Sequence, residues 1–203
     1  MEGLCFVSNS ILKKIVSTAT DLFYTLPSKI NNSPKTMHHI GWRSPPTGFF
    51  KLNTNGSARE NPSGASVGGI IKDMSGSWIS SYSRKFGHTH SMAAELWGLR
   101  DGLMLATNQN IKKIIVEVDA LAVVNLFSYE NVEFNSTHPY SAIIIDYRFF
   151  LQHFEEAQVK HIHHEANHCT DLLAKEEFNS PRNFIVRPTP PPPLSLHFVP
   201  TVS

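Results

Sequence analysis

The 203-residue sequence has only two cysteines, Cys5 and Cys169, far apart and without CxxC spacing. That excludes a disulfide framework and a zinc ribbon, and leaves a reducing, intracellular setting as the expectation. Net charge is nearly absent: 18 basic against 17 acidic side chains gives +1, so no global field draws in a polyanion and any nucleic-acid contact must come from a local patch. No stretch approaches the roughly 18 apolar residues of a membrane span. The start MEGLCFVSNSILKK has an acid where a signal peptide is basic, and Ser8, Asn9 and Ser10 break its apolar run. A soluble protein with no membrane partner follows. No internal repeat is visible.

What is present is 41% apolar residues, enough for one domain with a real core plus tails. Residues 10–24 space Ile11, Leu12, Ile15, Ala19, Leu22 and Phe23 on one helical face, a surface for packing on the domain or a protein partner. The stretch after it, rich in Pro, Ser, Asn and His, reads as a linker, so that residues 1–41 precede a folded domain at 42–180. Residues 181–203 carry the run PTPPPP and read as a disordered, Pro-rich tail, a second place for a protein partner.

Within 42–180, FFKLNTNGS reads as a strand with Phe50, Leu52 and Thr54 on one face and Lys51, Asn53 and Asn55 on the other. The runs SVGGIIK and WISSYS flank a hairpin signal, DMSGS. The helix SMAAELWGLRDGLMLAT follows, with Ser91 as candidate N-cap. Next come a strand at 113–118, helices near 120–128 and 139–154, the strand AQVKHIHH, and a helix from about Asn167 to Phe178. Three strands followed by alternating helices and strands predict an α/β fold with a mixed sheet covered by helices.

Polar groups fall at the ends of these elements: Asn55 closes the first strand, Glu95 sits early in the long helix, Asp119 follows IIVEV, and Asp171 begins the last helix. Taken singly, each acid has a structural reading, as a helix N-terminal charge or an N-cap. His161, His163, His164, His168 and Cys169 offer zinc-type ligands, but strand alternation points His164 away from His161 and His163, which favours solvated side chains. Gly68 and Gly69 have no phosphate-loop lysine after them and read as a strand irregularity.

The blocks FFKLNTNGS, SMAAELWGLRDGL, IIVEVDA and HIHHEANHCTDLLAK, in this order and spacing, resemble the four signature blocks of the type 1 ribonuclease H family. The closest likeness is to its plant branch related to non-LTR retrotransposons, which opens with a Trp-Pro-Pro-rich lead like WRSPPTGFFKLN. The resemblance implies a five-stranded mixed sheet of order 3-2-1-4-5 with flanking helices, and hydrolysis of the RNA strand of an RNA-DNA hybrid with two Mg²⁺ ions. It places the metal ligands at Glu95, Asp119, Asp171 and Asn55, where the family has Asp at the last of these positions. His161 matches the histidine that assists proton transfer or product release, and Asn167 the asparagine supporting its loop. Gly56, Ser57, Ser91, Met92 and Asn167 are the candidate substrate contacts; Ser91 and Met92 stand where the family often has amides, and Leu121 where it has a glutamine-like contact.

Mg²⁺ prefers oxygen ligands, and two ions about 4 Å apart activate water and stabilise the leaving oxygen. At an effective dielectric near 20, one charge about 4 Å from a divalent ion is worth about 8 kcal/mol gross. Asn55 keeps an acceptor oxygen but loses that charge and adds an NH₂ that repels metal. The expectation is weak metal occupancy and a severe loss of rate, so that a non-catalytic nucleic-acid-binding module is the competing reading.

Overall fold

A computed structural model describes residues 43–58, 63–128, 139–177 and 183–192. The helix expected at 10–24, its linker, most of the turn after the first strand and the end of the Pro-rich tail lie outside the described residues. Strands β1 (Phe50–Ala58), β2 (Ser63–Lys72) and β3 (Trp78–Thr89) form an antiparallel run, and helix α1 (Ser91–Asn108) leads to β4 (Lys113–Val118). Helices α2 (Leu121–Ser128) and α3 (Ser141–Leu151), strand β5 (Glu156–His161), a 3₁₀ turn (His164–Asn167), α4 (His168–Glu177) and β6 (Phe184–Arg187) complete the chain. No helix among the described residues is long and apolar enough to cross a membrane.

The sheet order is β5-β4-β1-β2-β3-β6. The inner five strands have the expected 3-2-1-4-5 order; the sixth corrects the reading of residues 181–203 as a tail without packed elements. Phe184–Arg187 pair antiparallel with Ser81–Arg84, and the Arg84 guanidinium lies 4.7 Å from the centre of the Phe184 ring. Pro188 follows at once and has no N–H to extend the ladder.

Strand β1 alternates as expected. Leu52 and Thr54 face the main core, with Leu96, Leu99 and Leu103 of α1, Val67 of β2 and Val116 of β4, all buried. Full burial of each such side chain stabilises by about 1.5–3 kcal/mol. On the other face Lys51 pairs with Glu117 at 2.5 Å, and Asn53 donates to the same carboxylate. The hairpin at DMSGS forms: the Asp73 carboxylate accepts from the backbone N–H of Ser75 and Ser77, and Gly76 has φ +83°.

Two expectations about local structure change. The N-cap of α1 is His90, with no side-chain capping bond, and Ser91 is the first helical residue. Gly68 and Gly69 lie inside a regular stretch of β2, whose register shifts come at Gly64/Ala65 and Ile71/Lys72. Their role is close approach. A Cβ on Gly68 would lie 2.7 Å from the Thr170 carbonyl oxygen and 2.8 Å from the Ala174 nitrogen, so this glycine lets α4 rest on the sheet.

Candidate functional site

Strand pairing determines what meets at the carboxyl end of β1. Because β1 and β4 run parallel with Thr54 opposite Val118, the next residues, Asn55 and Asp119, emerge side by side. The antiparallel partner β2 puts Gly68 opposite Asn55, and over Gly68 the helix α4 brings Asp171 in. The start of α1 closes the fourth side. Its backbone touches the strand at Gly56, where a Cβ would fall 2.6 Å from the Glu95 nitrogen.

The result is an open cleft of about 450 Å³. Asn55, Glu95, Asp119 and Asp171 all line it, together with Gly56, Ser57 and Ser91. Three of the residues expected here do not. Met92 is 5% exposed and packs in the main core, on the inner face of α1. Asn167 is 2% exposed and donates its amide to the Thr54 carbonyl at 2.8 Å, fastening the turn before α4 to β1. His161 stands beside the cleft with Nε2 3.2 Å from the Asp119 carbonyl oxygen.

Each acid has a different electrostatic situation. Asp171 accepts from the Asn55 amide at 3.2 Å on one oxygen and from the Lys175 ammonium at 2.6 Å on the other. Asp119 holds the His164 ring, Nδ1 to Oδ2 at 2.8 Å, and that hydrogen bond raises the imidazole above its ordinary pKa. Glu95 has neither a cationic nor a side-chain amide partner among the described residues. The Gly56 N–H reaches its carboxylate, but Oε2 is buried with no hydrogen-bond partner among the described residues. Burial, and then the charge of Asp119, push the Glu95 carboxyl well above the usual carboxylate range.

A bare, buried carboxylate oxygen facing a second carboxylate calls for a cation, and Mg²⁺ is commonly held by one or two carboxylates with water filling its other positions. Glu95 and Asp119 fit one divalent ion. Two ions they do not fit, since both Asp171 oxygens are taken and position 55 offers an amide. Among the described residues no three His, Cys, Asp or Glu side chains lie close enough to hold a metal ion, so the zinc-type cluster around His161 and Cys169 does not assemble either.

Reasoning from the sequence missed Lys175 and read His164 only as a zinc-type candidate or solvated side chain, whereas both line the cleft. Lys175 was accessible: it stands four residues after Asp171 in a predicted helix, the spacing of a same-face ion pair. His164 was not, because β5 ends at His161 and the following 3₁₀ turn, rather than strand alternation, aims its ring.

Residues 53–177 match the model of the family described as reverse transcriptase-like. The chain is 34% identical over 146 residues to an Arabidopsis thaliana protein named "Putative ribonuclease H protein", an alignment covering 72% of this chain and 23% of that protein. Among solved structures, RNase H1 of the archaeon Halobacterium salinarum superposes with a TM-score of 0.58 at 22% identity, over 64% of this chain and 96% of that one. LC11-RNase H1, isolated from compost and solved in complex with an RNA/DNA hybrid, gives 0.56 at 22% identity, over 63% and 94%. These structures carry the fold alone; with the family match over more than half of the sequence, they establish that this chain belongs to the reverse transcriptase-like family and has a ribonuclease H-type fold.

Proposed function

We propose that residues 42–180 form a ribonuclease H-type domain that binds RNA-DNA hybrids and whose phosphodiester hydrolysis is impaired by Asn55. The observation that carries this is the Asn55 amide donating to Asp171 just past the last pair of β1 with β4, where a metal-binding site needs a negative oxygen. In this reading Glu95 and Asp119 hold a divalent ion, and the Gly56 N–H orients Glu95 for it. Asp171 and position 55 would complete the place of a second Mg²⁺ only with a carboxylate at position 55. Bound divalent ions supply an activated water and compensate the charge of the scissile phosphate.

The remaining residues act on substrate. The Ser57 and Ser91 hydroxyls present hydrogen-bond donors at the cleft, and His161 stands outside it, where a proton is delivered to or taken from the leaving side. A protein partner would engage the flanking segments, 10–24 or the proline run.

The competing reading, a binding module without turnover, is favoured by Lys175 and His164, which already occupy two of the three carboxylates. Filter binding to an RNA-DNA hybrid, duplex RNA and duplex DNA over a range of salt, followed by a cleavage assay on the bound hybrid, separates these possibilities. Hybrid binding that weakens steeply with salt is expected in both readings, and hydrolysis of the bound hybrid would distinguish the enzyme. Failure to bind all three nucleic acids would contradict both.

A further inference from the structure

We infer that Lys175, together with the Asn55 amide, withholds Asp171 from divalent cations, so that the free protein takes a single ion at Glu95 and Asp119. The inference rests on the reading of the cleft as a metal site. It explains why three carboxylates gathered at one place do not act as one ligand set.

The Asp171 side chain is 6% exposed. Both of its oxygens are engaged from within the chain, Oδ1 by the Asn55 amide and Oδ2 by the Lys175 ammonium. Lys175 lies one helical turn further along α4, so the pair forms as soon as the helix does and needs no rearrangement to persist. Its side chain is 57% exposed, so the charged end reaches into the cleft from solvent along an apolar stem. A metal ion approaching Asp171 must displace this ammonium and then tolerate it nearby. It must also turn away an amide N–H.

Glu95 shows the opposite condition. Its Oε2 is buried and without a hydrogen-bond partner among the described residues, and the charge that acts on it is another carboxylate, Asp119. Among the described residues lining the cleft, the basic side chains are Lys175, held by Asp171, and His164, which engages Asp119 from the exposed face. The buried lysines of the sheet do not contribute: Lys51 is committed to Glu117. The cleft is therefore divided into a half already neutralised by the chain and a half left for a cation from solution.

The experiment is Mn²⁺ binding, followed by the loss of free-ion electron paramagnetic resonance signal, on the full chain without nucleic acid. The wild type is expected to bind one ion. Lys175→Met, which keeps the apolar stem and removes the charge, is expected to bind Mn²⁺ about tenfold more tightly or to admit a second ion; the gain is modest because the lysine is largely solvated. Lys175→Arg is expected to behave as wild type. Lys175→Gln provides a second neutral variant, and circular dichroism verifies that each variant is folded.

Mn²⁺ affinity and stoichiometry unchanged in both neutral variants would overturn the inference, as would a wild type that binds two ions. Binding that tightens in Met and Gln but not in Arg upholds it. Because no nucleic acid is present, failure of the hybrid-binding reading would leave this result intact, whereas absence of Mn²⁺ binding in every variant would overturn the inference and the reading of the cleft as a metal site.

Discussion

Replacing Asn55 by aspartate is expected to lower the melting temperature in EDTA and to give a Mg²⁺-dependent rise larger than that of the wild type. Asn55 and Asp171 are both buried, and the amide nitrogen of one lies 3.2 Å from the carboxylate oxygen of the other. Substitution exchanges an attractive hydrogen bond for two like charges, whose gross repulsion at that separation is about 5 kcal/mol at an effective dielectric of 20. Lys175 offsets part of this, since it already sits on the far oxygen of Asp171. A net loss of about 1–3 kcal/mol remains, several degrees in the melting temperature of a domain of this size. Metal reverses the sign, because a divalent ion between the two carboxylates turns repulsion into ligation; at a hundred times its dissociation constant a bound ion returns about 2.7 kcal/mol. Calorimetry with and without Mg²⁺ is the check. A variant as stable as wild type in EDTA, or one indifferent to Mg²⁺, would show that positions 55 and 171 do not share a metal site.

The second large effect belongs to Gly68→Val, which is expected to destabilise the fold and loosen Mn²⁺ and hybrid binding at once. The Cβ would strike the Thr170 carbonyl oxygen and the Ala174 nitrogen, both backbone atoms that no rotamer change can move. Helix α4 must then rise from the sheet, taking Asp171 from the cleft and straining the Asn167–Thr54 hydrogen bond. Overpacking of this kind typically costs about 1–3 kcal/mol and more where backbone must shift. Gly87→Val is the control: a Cβ there meets nothing within 4 Å, and a change within about 0.5 kcal/mol is expected. Thermal melts of the two variants with parallel Mn²⁺ titrations measure both consequences. A Gly68→Val protein with wild-type stability and metal affinity would mean that α4 is not positioned by this contact.

Much of the fold was readable before the structure because its determinants are periodic. The two-residue alternation of Leu52 and Thr54 against Lys51, Asn53 and Asn55 predicts the two faces of β1, and the three- and four-residue spacing of Leu96, Leu99 and Leu103 predicts the buried side of α1. The convergence of Asn55, Glu95, Asp119 and Asp171 was legible only through the resemblance of four sequence blocks, since no local rule links strands that are neighbours in the sheet but distant in the chain. Other features depended on tertiary contact. Phe184–Arg187 is too short to announce itself, and it forms a strand because the edge of β3 was open beside it. Met92, next to the helix start, looks like a surface contact by position, yet the phase of α1 turns it into the core. Gly68 carries no sign in its own strand; the helix it accommodates begins about a hundred residues later.

On the proposed reading the domain recognises a hybrid while a single uncharged side chain, Asn55 within β1, holds back its chemistry. Single-turnover cleavage of an RNA-DNA hybrid by wild type and Asn55→Asp, at saturating protein and Mg²⁺, tests it most directly. The expected result is comparable hybrid binding by both proteins, with cleavage at least about a hundredfold faster in the aspartate variant, a gain of roughly 2.7 kcal/mol in transition-state stabilisation. Equal rates in the two proteins, whether both fast or both absent, would contradict the claim.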